Sequence, residues 1–385
     1  MTTYNLPRQL IFGNGTRSQL PELLDRLHNA PRALLVASRS ALASEPGQEL
    51  RAALGTRLAD TDTTIRHDPT VTSVDALRHH LADSHATIVV ALGGGSVIDA
   101  AKTAAFLADQ PANTADFLNG RATMPTHGAL PCVAIPTTAG TGSETTLATV
   151  ITDDKTAHKF PINDFPLIPR VAVLDPEMTR SLPKNMTATT GMDALTHAIE
   201  AYIGRSTTKA TRRDALKAAS LIAGNLEKAY RDGNDMTART NMLTAAFLAG
   251  GAFSKSYVGY CHAVAHSLGG KYHTPHGLAN AVLLPYVLEA YGSSIDGKAK
   301  DIAVAMGISD ASTPPETAAR LLIAEIRRMN RAMGIPAKLP GIQEADIPRL
   351  AAYAAKEANP LYPVPVLMNR KELEQFYYDV MEESK

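Results

Sequence analysis

Two stretches of the chain concentrate side chains that can bind a metal. The first, residues 191–202, reads GMDALTHAIEAY and places Asp193 and His197 four residues apart. In a helix both side chains would project from one face, so that a carboxylate and an imidazole could share a cation. An isolated pair of this kind is more often an ordinary surface pair, and it gains weight only from the second stretch.

The second stretch, residues 260–277, holds four histidines among mostly apolar residues: His262, His266, His273 and His276. The first two again share a helical face. Gly269-Gly270 is expected to end this helix and Thr274-Pro275 to begin the next, which places His276 near the N-terminus of that next helix. A lone buried histidine is usually a hydrogen-bonded core residue, whereas a cluster of this density indicates a metal site.

A set of three imidazoles and one carboxylate suits a divalent first-row metal and can leave one coordination position open for a substrate. The net positive charge of such a site would bind an alcohol oxygen and lower the pKa of the alcohol. From the residues alone iron, zinc, manganese, cobalt and nickel stay open, because the order of metal affinities does not select among them.

A glycine-rich turn in the first half of the chain is typical of a phosphate site. The expected strand Thr87–Leu92 runs into Gly93-Gly94-Gly95-Ser96 and then into a helix beginning near Val97. Glycines let the backbone approach a ligand, and the free N–H groups of a helix N-terminus attract an anion. The spacing is not G-x-G-x-x-G, because Ile98 stands at the last glycine's place, so a tight turn without a ligand is the alternative. A carboxylate is unfavourable beside phosphates. Asp99 would therefore suit this place only if it acts as a cap, orients the turn, or binds the ribose or a group on the nicotinamide side of the cofactor.

A second polar loop follows the next strand. Cys132–Ile135 is followed by residues 136–144, which read PTTAGTGSE. Ligands bind at the carboxyl ends of strands in open α/β sheets, and Thr and Ser hydroxyls there can donate to phosphate or ribose oxygens. The alternative is a loop tightened by hydrogen bonds from its own side chains. Two such loops after neighbouring strands favour a bound dinucleotide.

The elements around these loops alternate between strand and helix. Short apolar runs at Ala33–Ala37, 87–92, 132–135 and Val171–Leu174 alternate with helix-like segments such as Gln48–Leu58 and Val74–Leu81. This pattern predicts an α/β, Rossmann-like domain with a mainly parallel sheet over residues 1–180. A hairpin turn is expected at residues 153–156, between runs around Val150 and Phe160.

Long amphipathic stretches dominate from about Ser181 onward. They predict an all-helical domain over residues 181–385, with Pro183 and Pro285 at helix starts or breaks. The expected helices are Thr187–Tyr202, Ala210–Ala223, Met236–Gly250, Pro315–Met333 and Arg370–Met381.

Composition excludes several classes of protein. The 385 residues contain 38 Lys+Arg and 38 Asp+Glu, so the formal net charge is zero and gives no support for binding to nucleic acid or an anionic membrane. Two cysteines, Cys132 and Cys261, are too few for a disulfide scaffold. We see no secretory signal and no apolar stretch long enough for a membrane span, and therefore expect a cytoplasmic enzyme acting on a small molecule.

Taken together, the motifs resemble the iron-containing (group III) alcohol dehydrogenases, which have a dehydroquinate-synthase-like architecture. The matching stretches are GGGSVIDAAK at 93–102, PTTAGTGSE at 136–144, GMDALTHAIEAY at 191–202 and HAVAHSLGGKYHTPHGLANAVLLP at 262–285. The resemblance covers essentially the whole chain. It implies a metal-dependent, NAD(P)-linked alcohol dehydrogenase or aldehyde (ketone) reductase that forms a homodimer or larger homo-oligomer.

The resemblance also implies the roles of individual residues. It implies metal ligation by Asp193, His197, His262 and His276, with Fe²⁺ favoured and Zn²⁺ or another first-row metal as the alternative. It leaves His266 as a catalytic non-ligand near the nicotinamide and substrate, and we expect a pocket or structural role for His273. The implied cofactor-binding residues are Gly94, Gly95, Ser96, Asp99, Thr137, Thr138, Thr141 and Lys159.

One departure from the family concerns the choice between NAD and NADP. Many NAD-using members carry an acidic residue after the strand that corresponds to Ala33–Ala37, where this chain reads Ser38-Arg39. An acid there would repel a 2′-phosphate, whereas Ser and Arg can accept one. NADP(H) is therefore an option beside NAD(H), and the alternative is that Arg39 simply points into solvent.

Two other functions compete with this interpretation. A dehydroquinate-synthase-type lyase, or a polyol or hydroxy-acid enzyme, could use the same scaffold, although the lyase would call for a metal set of one glutamate and two histidines. A regulatory metal- or nucleotide-binding protein without turnover is the third candidate. The simultaneous presence of Asp193, the three ligand histidines and His266 argues against it.

Overall fold

The structure is a computed structural model that describes residues 7–156 and 158–382. The chain forms two compact units. The first comprises residues up to Thr138 together with Gly142–Leu182, and the second comprises Ala139–Thr141 together with Pro183–Lys385. The predicted fold class, a mainly parallel α/β region followed by a helical region, is confirmed.

The first unit is built on a six-stranded sheet in which every neighbouring pair is parallel, in the order β1-β8-β5-β4-β2-β3. A separate antiparallel hairpin, β6–β7, has the predicted turn at residues 153–156. The strands are β1 (Gln9–Phe12), β2 (Ala33–Ala37), β3 (Leu58–Asp62), β4 (Ile88–Gly93), β5 (Cys132–Pro136), β6 (Ala148–Thr152), β7 (Lys159–Asn163) and β8 (Val171–Leu174).

Helices cover both faces of this sheet. They are α1 (Leu20–Leu27), α2 (Arg39–Ala43), α3 (Glu45–Leu54), α4 (Val71–Asp83), α5 (Gly95–Phe106) and α6 (Thr114–Leu118). Side chains alternate along a strand, so Leu34 and Val36 pack in the core that contains α4 and α5, whereas Leu35 packs in the core that contains α1 and α3. Burial on both faces explains the continuous apolar runs of the inner strands.

Sequence patterns failed at the edges of this sheet. Neither β1 nor β3 was predicted, because edge strands are short and only partly buried. The helix predicted at Gln48–Leu58 is wrong at its C-terminal end, because the helix in the structure ends at Leu54 and Leu58 begins β3. The polar sequence Leu58-Ala-Asp-Thr-Asp carries no apolar alternation that could have identified a strand.

The second unit is helical throughout its described elements. Its helices are α7 (Lys184–Ile203), α8 (Lys209–Arg231), α9 (Met236–Ser256), α10 (Tyr260–Tyr272), α11 (His276–Tyr291), α12 (Asp296–Ala305), α13 (Pro315–Ala332), α14 (Ile347–Ala358) and α15 (Arg370–Val380). They enclose one apolar core. Within the described residues, no helix is both long enough and apolar enough to cross a membrane.

Two predicted helix boundaries are wrong for physical reasons. Gly269-Gly270 does not end α10, which continues to Tyr272, since both glycines are buried and packing outweighs their poor helix propensity of about 1 kcal/mol each. Pro285 does not interrupt α11 either. A proline deprives the carbonyl four residues earlier of its helical partner, and here the Asn330 side chain donates to that carbonyl, on Ala281, at 2.6 Å.

A histidine held between two carboxylates predicts pH-dependent stability of the first unit. In α4, His80 Nδ1 lies 2.9 Å from Asp62 and Nε2 lies 2.9 Å from Asp60. Burial lowers the pKa of His80, but the two hydrogen bonds outweigh it and raise that pKa above 6.5. The two hydrogen bonds therefore stabilise the folded state fully at a pH below the pKa of His80 in the unfolded chain. This stabilisation is lost as the pH rises through the pKa of His80 in the folded protein.

We expect His80→Gln to lower the melting temperature by about 2–4 °C at about pH 5.5, and by much less at about pH 9. Thermal melting followed by circular dichroism measures both differences. The neighbouring exposed His79 supplies the matched control, His79→Gln. A gap between wild type and His80→Gln that is the same at both pH values would contradict the assignment.

Candidate metal centre and cofactor site

Helix α7 supplies the first two candidate ligands. Asp193 and His197 lie one turn apart and are 1% and 4% exposed, in a stretch that is buried without interruption from Gly191 to Ile203. The small residues of this stretch allow neighbouring helices to pack closely. A carboxylate is rarely buried to this extent without a partner, so the position of Asp193 calls for a compensating charge or donor.

Helices α10 and α11 supply the other two. His262 lies in the first turn of α10, and His276 is the first residue of α11. The chain reverses between them at His273, whose φ of 55° is left-handed. A Cβ at Gly277 would lie 2.5 Å from the Thr189 carbonyl oxygen of α7, so only glycine allows the start of α11 to approach α7 this closely.

The four side chains converge. One ligand atom from each of Asp193, His197, His262 and His276 lies within 4.8 Å of the others. Asp193 Oδ1 is 3.9 Å from His262 Nε2 and 3.4 Å from His276 Nε2. Metal–ligand bonds of about 2.0–2.2 Å in tetrahedral geometry place ligand atoms about 3.4 Å apart, so the donor set and its spacing fit a divalent first-row metal.

A buried carboxylate, Glu200, orients His262. His262 Nδ1 lies 2.5 Å from Glu200 Oε2, and the Glu200 carboxylate also accepts from the backbone N–H groups of Gly259 and Cys261, each at 2.9 Å. Burial raises the pKa of Glu200 to about 7 and lowers that of His262 well below its usual value. Because Nδ1 donates to the carboxylate, the Nε2 lone pair of His262 faces the cluster, as a metal ligand requires.

Asn280 also contacts the cluster. Its Nδ2 donates to Asp193 Oδ1 at 2.7 Å and lies 3.1 Å from Nε2 of both His262 and His276. Sequence analysis missed Glu200 and Asn280, although their spacing could have revealed them. Glu200 follows His197 by three residues, and Asn280 follows His276 by four, so each shares a helical face with a candidate ligand.

The predicted non-ligand His266 and the aromatic residue Phe253 pack against histidines of the cluster. The His266 ring is stacked on that of His276 at 5.2 Å and is edge-on to that of His262 at 6.1 Å. Phe253 stacks on His197 at 4.3 Å. His273 is exposed and ends α10, which is a structural position, whereas Tyr260 is fully buried.

The glycine turn lies between β4 and α5 as predicted. Gly94 precedes the first turn of α5, where Gly95 and Ser96 leave the helix N-terminus open to an anion. A Cβ at Gly93 would lie 2.7 Å from Val97, and one at Gly94 would lie 3.1 Å from the Thr138 side chain. Glycine therefore lets the turn pack between its own helix and the second polar loop.

The second polar loop begins beside the glycine turn. Gly93 and Pro136 are paired in the sheet, and the Thr137 N–H donates to the Gly93 carbonyl at 2.9 Å. Thr137 and Thr138 therefore adjoin the turn in the first unit, whereas Thr141 belongs to the 139–141 segment of the second unit. At the end of β2, Ser38 caps α2 by accepting from the Ala41 N–H, and Arg39 is exposed.

Asp99 faces the second loop. Its carboxylate accepts hydrogen bonds from the Ser143 hydroxyl and, at 3.0 Å, from the Val150 N–H. Lys102, one turn later, is 1% exposed, and its Nζ donates to the Ser143, Thr146 and Ala148 carbonyls. These hydrogen bonds fix the second polar loop, a role that the sequence analysis did not consider for Asp99, and its predicted contact with the cofactor stays a prediction.

Lys159 is buried in β7, and its Nζ lies 2.6 Å from Asp68 Oδ1. Asp68 has a left-handed φ of 57°, and its N–H lies 3.4 Å from Ser96 Oγ in the glycine turn. Burial raises the pKa of Asp68, but the hydrogen bond with His67 and the charge of Lys159 outweigh it and hold that pKa well below its usual value. Asp68 was not foreseen, because a lone acid in a loop carries no spacing signal.

Comparisons with known proteins agree with this geometry. The family model "Iron-containing alcohol dehydrogenase" matches residues 7–176, and "Fe-containing alcohol dehydrogenase family, C-terminal" matches residues 187–381. The chain is 39% identical over 367 residues to alcohol dehydrogenase 4 of Saccharomyces cerevisiae, which covers 93% of each chain.

Two further relatives extend the comparison. The chain is 36% identical over 362 residues to the NADPH-dependent butanol dehydrogenase of Clostridium saccharobutylicum, covering 90% of this chain and 88% of that one. Among solved structures, a 1,3-propanediol oxidoreductase is similar with a TM-score of 0.91 and 35% identity, over 99% of this chain and 100% of that chain.

We expect Asp193→Asn to lower the affinity for Fe²⁺ or Zn²⁺ by about 100-fold, since one of four ligands loses its charge. Chelator competition and metal analysis after dialysis measure this loss, and circular dichroism checks that the helices persist. Asp214→Asn, which changes a partly exposed acid on α8, is the matched control. Unchanged metal affinity in Asp193→Asn would remove Asp193 from the ligand set.

Proposed function

The chain belongs to the iron-containing alcohol dehydrogenase family, and from this premise we propose that it interconverts a short primary alcohol or diol with its aldehyde, using NADP(H) and Fe²⁺. It is an NAD(P)-linked alcohol dehydrogenase, an oxidoreductase that acts on CH–OH groups of small molecules. One observation supports the proposal independently of family membership. It is the convergence of four candidate metal ligands, Asp193, His197, His262 and His276.

The chain's own residues prepare the site for this chemistry. When bound, a divalent ion supplies Lewis acidity toward the oxygen of the alcohol or carbonyl. Glu200 and Asn280 orient the side chains of His262 and Asp193 before any ion arrives. His266, whose ring packs against that of His276, is the residue to which we assign transfer of the hydroxyl proton.

The cofactor binds, in this proposal, at the glycine turn and the second polar loop. The N-terminus of α5 accepts the pyrophosphate, and Asp99 and Lys102 hold the loop in place from the inside. Ser38 and Arg39 are the basis for preferring NADP(H), because neither repels a 2′-phosphate. The Clostridium relative is an NADPH-dependent enzyme, which supports the same choice.

We also propose that the enzyme is cytoplasmic and forms a homo-oligomer. Both cysteines are buried and free, which suits a reducing compartment. The assembly is proposed from the family alone, whose members commonly form dimers or larger assemblies.

A substrate panel tests the proposed reaction. We expect short primary alcohols and diols to reduce NADP⁺ after anaerobic loading with Fe²⁺, and chelation to remove at least about 90% of the activity. Absorbance of the reduced nicotinamide is the measurement, with NAD⁺, Zn²⁺, Mn²⁺ and Co²⁺ run in parallel and Asp193→Asn as the inactive control. The absence of turnover with every alcohol, aldehyde and metal in the panel would refute the proposal.

A carboxylate at position 38 should reverse the cofactor preference. We expect Ser38→Asp to lower the ratio of kcat/KM for NADP⁺ to kcat/KM for NAD⁺ at least about tenfold, through repulsion of the 2′-phosphate. Aspartate also caps helices well, so α2 should persist. Ser40→Asp places the same charge two residues later, and an equal shift in both variants would argue against a specific contact at position 38.

A further inference from the structure

His266 is bound from one side by a carboxylate that no family motif of this chain contains. Glu357 lies in the last turn of α14, and its Oε1 is 2.7 Å from His266 Nδ1. The side chains of His266 and Glu357 are 9% and 8% exposed. The interaction is therefore shielded from water, and it joins two residues 91 positions apart in the chain.

A tyrosine fixes the carboxylate in turn. The Tyr362 hydroxyl donates to the same Oε1 of Glu357 at 2.7 Å. Tyr362 is 5% exposed, and burial together with Glu357 raises its pKa well above the usual value. The hydroxyl therefore stays protonated, and Oε1 accepts two hydrogen bonds that together restrict rotation of the carboxylate.

We propose that Glu357 is a positioning residue that fixes His266 in the tautomer with the proton on Nδ1 and the lone pair on Nε2. The inference rests on the proposed function, in which His266 transfers the hydroxyl proton. A neutral imidazole has one donor and one acceptor nitrogen, and an ionised carboxylate can only accept. A carboxylate facing Nδ1 therefore assigns the proton to Nδ1 and leaves Nε2 as the acceptor.

Helix α10, which contains His266, has a second histidine with the same arrangement. His262 lies four residues before His266 on α10, and its Nδ1 faces Glu200 as the Nδ1 of His266 faces Glu357. In both cases the carboxylate determines which nitrogen has the free lone pair. The Nε2 of His262 lies 3.9 Å from Asp193 Oδ1, among the candidate metal ligands, whereas the His266 ring stacks on that of His276 outside the four-residue cluster.

Two measurements on the full-length enzyme test the proposal. The first is the tautomer of His266, read from ¹⁵N chemical shifts and two-bond couplings in Zn²⁺-loaded protein labelled with ¹⁵N-histidine and assigned with His266→Asn. The second is steady-state kinetics of the Fe²⁺-loaded enzyme. The variants are Glu357→Ala, Glu357→Gln and Tyr362→Phe, and the exposed Glu316→Gln is the control.

We expect the wild-type enzyme and Glu316→Gln to show the Nδ1–H tautomer of His266, and Glu357→Ala to lose it. Glu357→Ala should lower kcat about 10- to 100-fold while metal content and the KM for the cofactor stay within about twofold of wild type. Glu357→Gln keeps an acceptor oxygen of the same shape, so it should keep the tautomer and lose less of kcat. Tyr362→Phe should have the smallest effect.

An Nε2–H or averaged His266 in the wild-type enzyme would overturn the proposal. An unchanged kcat in Glu357→Ala would overturn the proposal as well. Should Glu357→Ala fail to fold, the conservative variant Glu357→Gln still tests the proposal. The tautomer is measured without turnover. A wild-type enzyme inactive toward all alcohols would therefore refute the proposed function and leave the spectroscopic result to decide the role of Glu357.

Discussion

The burial of one carboxylate against three imidazoles is the constraint on which the helical unit depends. Removing the charge of Asp193 from water costs several kcal/mol unless a cation or strong donors face it. The Asn280 Nδ2 lies 2.7 Å from Asp193 Oδ1 and 3.1 Å from Nε2 of both His262 and His276, and a cation among the four candidate ligands would satisfy the carboxylate and the imidazole lone pairs together. Close helix approach is therefore required, which explains why Gly277 and Gly259 have no room for a side chain beside Thr189 and Glu200.

The α/β unit is built under a different constraint, because the cofactor site that we propose there consists of a glycine turn and a loop whose backbone groups face the ligand. A glycine turn and a threonine-rich loop have little structure of their own, so buried charges hold them. Lys102 donates to the Ser143 carbonyl within the second loop and to the Thr146 carbonyl just after it, and Asp99 accepts from the Ser143 hydroxyl. The glycines confer the freedom to approach a phosphate, and the hydrogen bonds of Asp99 and Lys102 restrict the flexibility that would otherwise accompany it.

Sequence analysis correctly predicted the parts of the molecule whose structure depends on residues close together in the chain. Inner strands such as β2 and β8 are buried on both faces, so their apolar runs gave the correct bounds, and the helical spacing placed Asp193 beside His197. It failed where tertiary contacts decide. Asn330 compensates Pro285 from another helix, and Glu357 reaches His266 across 91 residues. No window of sequence contains such a pair, so no local pattern could predict it.

The two histidines of α10 show that one local sequence pattern is compatible with two different functions. His262 and His266 are equivalent by spacing, and each has its Nδ1 on a buried carboxylate. What separates them in the structure is the placement of each ring, which depends on helix packing. The Nε2 of His262 lies near Asn280 and Asp193, whereas the His266 ring stacks on that of His276 and His266 does not belong to the four-residue cluster. A proposed ligand and a proposed non-ligand can thus arise from the same motif, because helix packing brings only one of the two rings into the cluster with the other candidate ligands.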